Sequence, residues 1–253
     1  MKKLIQHHTV PCYDTDASWR LKPASFMNLA QEAAGQHAVH LGFGYDDLIV
    51  SNTAWILSRV HIEFIDAPKW REDITLTTWH KGLNRLFYLR DFILTDKDGR
   101  ERVKATTSWL VLNLETRRLV RDPDLMEDGT VCTENVIEAP ADKVVMPKGV
   151  EAEHVMDHVV AYSDVDMLGH TNNAMYMQWA MDAVDYDIAS SMPVKKVTIN
   201  FNHETKAGDH VNIYRASVQH EDGLHVFVEG KVDGTSSFAV EMIRPWRAVN
   251  LRI

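Results

Sequence analysis

The chain has 253 residues, 45% of them apolar and 25% charged, with a formal charge of −9. That is the make-up of an ordinary soluble globular protein with room for two domains. No apolar run reaches the ~18 residues of a membrane span, and the polar start from Met1 to His8 lacks a signal-peptide core. Insertion into a membrane is therefore not expected, and an acidic chain without a nucleic-acid motif is not expected to bind nucleic acid.

In chain order, residues 24–41 carry Phe26, Leu29, Ala30, Ala33, Ala38 and Leu41 at helical spacing, with Pro23 suited to the first turn and Gly42 to the C-terminal cap. Extended segments rich in Ile, Val, Thr, Trp and Phe follow near 54–65, 72–80, 85–95 and 102–114, and Lys97-Asp98-Gly99 is a hairpin turn. Residues 81–121 hold ten Lys/Arg and five Asp/Glu, a local charge of +5 in an acidic chain. The plain account is solvated hairpin faces; the sharper one is a docking patch for an acidic macromolecule. Residues 122–155, with Pro123, Pro140 and Pro147 among many acids, show little periodicity and form the connection. The order then repeats: a helix near 173–189, and strands near 195–202, 209–219, 224–231 and 235–244, with turns at Glu221-Asp222-Gly223 and Asp233-Gly234. The domain plan is 1–125, a linker at 126–155, and 156–253.

The repeat extends to side chains. Tyr162-Ser-Asp-Val-Asp-Met-Leu-Gly-His-Thr-Asn-Asn173 leads into the second helix, and Tyr13-Asp14-Thr15-Asp16 is a degraded copy of it. Asp14 matches Asp164, Asp16 matches Asp166, Phe26 matches Tyr176 and Ala33 matches Ala183. His170 becomes Arg20, Asn172 becomes Lys22 and Asn173 becomes Pro23. Downstream, Ile62-Glu63-Phe64 aligns with Ile199-Asn200-Phe201, which sets Glu204 against Ala67. A period this long marks a domain duplication rather than a solenoid. One half has kept a polar constellation that the other has lost.

A long helix followed by an antiparallel meander implies an α+β fold: a sheet wrapped around a buried helix. Two such units can cover each other's open sheet edges, like a homodimer fused into one chain. The chain at this point resembles the double hotdog proteins, specifically the acyl-acyl-carrier-protein thioesterases of plants and bacteria. Its second half carries the pattern Asp166, His170, Asn172, Asn173, followed by the acid Glu204. Its first half carries Trp55-Ile-Leu-Ser-Arg-Val-His-Ile-Glu-Phe64, Thr78-Trp79 and Thr116-Arg117-Arg118-Leu119. Plant members have an Asn at the position of Leu168 and a Cys at that of Thr205. Thr205 argues against a thiol nucleophile.

The resemblance implies hydrolysis of fatty acyl-acyl carrier protein to free fatty acid, ending chain elongation. The candidate catalytic residues are Asp166, His170, Glu204, Asn172 and Asn173. Thioester hydrolysis needs an activated water and a donor to the carbonyl oxygen; Asp166 is the first choice for the base, and His170 for orienting water or polarising the carbonyl. Asn172 and Asn173 also suit a helix cap, and Asp164, kept in both halves, suits a structural turn. The first half would hold the acyl chain. Arg117 and Arg118 are candidate substrate-binding residues, facing an acidic carrier protein. An acyl-CoA thioesterase and a non-catalytic acyl-binding sensor are the rival readings.

No cofactor and no metal are expected. Cys12 and Cys132 lack metal-type spacing and suit a reducing cytoplasm. The pairs His37/His40 and His154/His158 have helix-like spacing but no third ligand nearby. A homodimer of the whole chain is compatible with this plan.

Overall fold

The β-branched and aromatic stretches form strands close to where their patterning puts them. The structure, a computed structural model, describes residues 2–122, 125 and 128–246; Pro123 of the expected connection lies outside the described residues. The chain divides into two units, Met1–Asp142 and Lys143–Ile253.

The first unit contains β1 (Leu4–Thr9), α1 (Pro23–His40), α2 (Tyr45–Val50), β2 (Thr53–Phe64), β3 (Asp73–Asn84), β4 (Phe87–Asp96), β5 (Glu101–Asn113) and the short β6 (Leu119–Val120). The strands run antiparallel in the order β1-β3-β4-β5-β2, with β6 paired to β5. Pro23 opens α1, where its missing N–H costs nothing. Gly42 follows the helix at φ 78°, the left-handed turn that ends it. One face of α1 is buried through Phe26, Ala30, Ala33 and Ala34, and Phe26 meets Phe64 of β2 edge-to-face. The small alanines let the helix approach the sheet closely, while each fully buried large apolar side chain contributes about 1.5–3 kcal/mol. Residues 132–137 are tied to this unit as well: Trp79 Nε1 donates to the Glu134 carbonyl and Lys81 Nζ to that of Ile137.

The second unit contains β7 (Glu153–Val159), α3 (Asn173–Asp182), α4 (Tyr186–Ser191), β8 (Lys196–Phe201), β9 (His210–His220), β10 (Gly223–Val232) and β11 (Thr235–Arg244). Its antiparallel order, β7-β9-β10-β11-β8, reproduces that of the first unit strand for strand. The single helix expected near 173–189 is broken after α3. The Arg215 guanidinium donates to the Ala183 carbonyl and pairs with Asp185 at 2.9 Å, so the carbonyl that would continue the helix is taken by a side chain. His154 and His158, given a helix-like spacing above, lie on a strand. No helix of the described residues is long and apolar enough to cross a membrane.

Candidate active site

The loop between β7 and α3 is built by backbone bonds before any side chain acts. Asp166 N–H donates to the His170 carbonyl, Gly169 N–H to the Asp166 carbonyl, and Asn172 N–H to the Asp164 carbonyl. Gly169 sits at φ 78°, the left-handed conformation that closes so tight a loop. The carboxylate of Asp164 is buried; its Oδ2 accepts the Ala161 N–H at 2.7 Å and lies 2.8 Å from His158 Nε2. Asp164 is thus a staple between β7 and the loop, the structural part its presence in both halves suggested.

The chemistry-bearing side chains stand on this frame. His170 Nε2 lies 3.5 Å from Glu204 Oε2, and both side chains are 34% exposed. Asp166 is half-buried; its Oδ1 accepts the Leu168 N–H at 2.9 Å. Among the described residues no hydrogen bond is made to its Oδ2. Asn172 is the N-cap of α3, its Oδ1 accepting the Ala174 N–H at 2.8 Å. Asn173 is the first residue of α3, where unpaired backbone N–H groups make a site favourable to a developing negative charge. The structure therefore brings His170 and Glu204 together from two loops, with Asp166 on the same loop as His170.

The residue after Glu204 does something that sequence reasoning missed. Thr205 is fully buried, and its carbonyl accepts the Thr171 N–H at 2.9 Å. Its Oγ1 lies 2.7 Å from Thr171 Oγ1 and 3.0 Å from the Tyr176 hydroxyl, and its own N–H donates to that hydroxyl at 3.1 Å. Burial pushes the Tyr176 phenol above its ordinary pKa, against the lowering effect of its bonds to Thr205. The signal that could have found this network was the repeat itself, which pairs Tyr176 with Phe26.

The first copy keeps the frame and changes the occupants. Asp16 N–H donates to the Arg20 carbonyl, Lys22 N–H to the Asp14 carbonyl and Leu21 N–H to the Pro68 carbonyl. Trp19 takes the left-handed position of Gly169 at φ 67°. Here the carboxylate is neutralised: Asp16 Oδ2 pairs with the Arg20 guanidinium at 3.0 Å, and Oδ1 accepts the N–H groups of Ser18 and Arg20. This copy has Arg20 in place of the imidazole and Ala67 in place of the acid. The first unit also has a small apolar pocket, with room for little more than one water, lined by Phe26, Met27 and Ala30 of α1 and by Leu57, Val60 and Phe92 of the sheet.

The basic segment divides under inspection. Lys81 pairs with buried Asp91 at 3.1 Å, Arg90 is buried against His37 Nδ1, and Arg102 is held by Asp66, Glu72 and Asp96. These three cations are structural. Arg85, Lys97, Arg100, Arg117, Arg118 and Arg121 remain exposed. Arg117 and Arg118 lie on the turn between β5 and β6, closed by Asn113 N–H to the Arg118 carbonyl and Arg117 N–H to the Asn113 carbonyl. Cys12 is exposed; Cys132 is buried, its Sγ 3.8 Å from Glu134. Among the described residues no group of three or more metal-ligating side chains converges.

A paired imidazole and carboxylate, both partly exposed, on a duplicated antiparallel fold, present in one copy and absent from the other, defines a class of two-unit proteins with one candidate catalytic site. The comparisons give that class its family. Residues 2–128 match the acyl-ACP thioesterase N-terminal domain and residues 148–244 the acyl-ACP thioesterase C-terminal domain. The chain belongs to the acyl-ACP thioesterase family.

Among curated proteins it is similar to oleoyl-acyl carrier protein thioesterase 2 of Arabidopsis thaliana, 27% identical over 74% of this chain and 56% of that protein. It is also similar to a palmitoyl-acyl carrier protein thioesterase of Gossypium hirsutum, 25% identical over 79% of this chain and 51% of that protein. The chain spans little more than half the length of these relatives. Among solved structures, an acyl-ACP thioesterase from Bacteroides thetaiotaomicron has a TM-score of 0.86 at 26% identity, covering 96% of this chain and 98% of that one. The 12:0-ACP thioesterase from Umbellularia californica has a TM-score of 0.80 over 96% of this chain and 97% of that one; at 18% identity it speaks to the fold alone.

Proposed function

We propose that the chain hydrolyses the thioester of a fatty acyl group carried on acyl carrier protein, releasing free fatty acid and ending chain elongation. The observation that carries the reading is the His170–Glu204 pair at 3.5 Å beside Asp166, in the one copy that keeps all three residues. The family membership supports the substrate class. The fold reading that goes with it is a tandem double hotdog, each sheet curling around its helix; the identical strand order of the two units supports it.

The chemistry follows from the parts. A water oxygen adds to the thioester carbonyl carbon while Asp166, as general base, takes its proton. The carbonyl electron pair moves onto oxygen, where His170 and the Asn173 N–H at the start of α3 would donate hydrogen bonds. The intermediate collapses, the C–S bond breaks, and the departing thiolate takes the proton held by the carboxylate. The products are a carboxylic acid and the free carrier thiol. Glu204 keeps His170 in place. The first unit would hold the acyl chain, which has to widen the small apolar pocket beneath α1 to enter it.

A hydrolysis panel tests this reading, with acyl-carrier substrates of varied chain length run beside the matching acyl-CoA esters. Turnover of the carrier substrates with kcat/KM at least tenfold above the CoA esters is expected. Equal or greater efficiency on CoA esters would move the substrate to acyl-CoA, and tight acyl binding without turnover would make the protein a sensor.

A further inference from the structure

We propose that the buried hydroxyls of Thr171, Tyr176 and Thr205 are positioning residues that hold His170 and Glu204 at working distance. The proposal rests on the thioesterase reading of the same site. Thr171 directly follows His170, and Thr205 directly follows Glu204. The two threonines are joined by the bond from Thr171 N–H to the Thr205 carbonyl, at 2.9 Å, and by the 2.7 Å contact between their hydroxyls. The Tyr176 hydroxyl, on the first turns of α3, closes on Thr205 twice: it accepts the backbone N–H at 3.1 Å and meets Oγ1 at 3.0 Å. All three side chains are buried. A shift in this knot moves the backbone carrying one or other member of the pair.

The first copy is an internal control. Its equivalents of Thr171, Thr205 and Tyr176 are Leu21, Pro68 and Phe26, all apolar. The backbone bond survives there, from Leu21 N–H to the Pro68 carbonyl at 2.8 Å, and so does the loop. Hydroxyls are therefore not needed to make this loop or to pin it to the neighbouring one. Pro68 removes the N–H donor in the same copy in which Phe26 removes its acceptor, so the set is absent as a unit. It is absent from the copy that also lacks the imidazole and the acid. Burying three hydroxyls where apolar groups suffice costs free energy unless they bond one another well. What the second copy has in return is a lateral constraint. A backbone bond alone lets two loops slide and tilt; three side-chain contacts at one point do not. Catalytic groups tolerate little such play, since a misplacement of ~1 Å costs about 10²-fold.

The test uses Thr205→Val, which removes Oγ1 while keeping volume and the backbone N–H bond to Tyr176. Expected for the folded variant is a fall in kcat of about tenfold with KM within about twofold of wild type. Thr205→Ser, which restores the hydroxyl, should recover most of that loss. In a Glu204→Gln background, where the pair is already broken, adding Thr205→Val should change kcat by less than about twofold, because residues that act through one another are not additive. A crystal structure of Thr205→Val should show the His170–Glu204 separation opened beyond 3.5 Å. Wild-type kcat in folded Thr205→Val, an undiminished effect in the Glu204→Gln background, or an unchanged separation would each overturn the proposal. If the wild-type protein hydrolyses no acyl thioester, the thioesterase reading falls and the proposal falls with it.

Discussion

Two aspartates in matched loops, Asp166 and Asp16, have opposite surroundings. Arg20 neutralises Asp16 at 3.0 Å. Asp166 has one carboxylate oxygen tied to the Leu168 N–H and no cation within the loop. Replacing Asp166 by Ala should lower kcat by about 10²-fold or more, the size of a lost general base. Asp16→Ala should leave kcat within about threefold of wild type, because a half-exposed pair of this kind is worth only about 0–1 kcal/mol of stability. Comparable losses in two folded variants, followed by steady-state kinetics, would refute a single site. Thiol chemistry is not expected. Cys12 is exposed, Cys132 is buried beside Glu134, and Thr205 stands where a thiol would be expected. A Cys12→Ser, Cys132→Ser double variant should keep more than about half of its activity; loss of activity in a protein of unchanged Tm would reopen covalent catalysis. Asp166, His170 and Glu204 could be found from the motif because their chemistry shows in residue type and spacing. Tyr176, Thr171 and Thr205 show only when the two copies are compared, since a hydroxyl bonded to another hydroxyl 29 or 34 positions away leaves no local pattern.

At the scale of elements, helix α1 and eight of the strands follow from periodicity alone, because each has one face in the core. Strands β1 and β7 do not. No residue of β7 is fully buried, and β1 buries only Leu4, so neither has an apolar rhythm. Both lie at the outer end of a unit's strand order, where pairing to one neighbour holds a polar segment extended. The break between α3 and α4 was equally hidden, since it depends on Arg215 reaching from β9.

The turn between β5 and β6 carries the test of carrier docking. It presents Arg117 and Arg118 after Lys81, Arg90 and Arg102 are subtracted as structural. Charge at a rim acts over a Debye length of about 8–10 Å and is screened by salt. Reversing both residues to Glu should raise KM for acyl-carrier substrates severalfold and leave kcat near wild type. A small acyl thioester without a carrier should be hydrolysed as before, and added salt should bring wild type toward the variant. An unchanged KM and salt dependence in a variant of normal Tm would place docking elsewhere. Arg117 sits at φ 57°, so Tm must accompany the kinetics.

For the whole molecule, the first unit carries a buried polar knot of His37, His80 and Arg90. Burial pushes Arg90 down to about 9, which leaves it charged at neutral pH, so it donates to His37 Nδ1 at 2.9 Å and that nitrogen carries no proton. Burial first, then the charge of Arg90, drives His80 from 6.5 down to about 4. The folded protein thus holds the His80 ring neutral where the unfolded chain would protonate it. Stability is undiminished by this group above pH 6.5 and falls as pH drops from 6.5 toward 4, where the unfolded chain binds a proton that the folded protein does not. Denaturant midpoints should fall between pH 7 and pH 4.5, and a folded His80→Gln variant should show a clearly smaller drop. An equal drop in both would assign the acid sensitivity to other groups.

The loop frame has a consequence of a different kind. In both units the same backbone bond runs from the position after the aspartate loop to the loop that follows β2 or β8, whatever the side chains are. Form and chemistry are inherited separately here. A lineage carrying two such sockets can let one lapse without endangering the fold, and its vacated positions can change freely while the other stays at work. Arg20, Lys22 and Trp19 are what such freedom leaves behind. The asymmetry between the halves is then one of side chains set on a shared backbone frame.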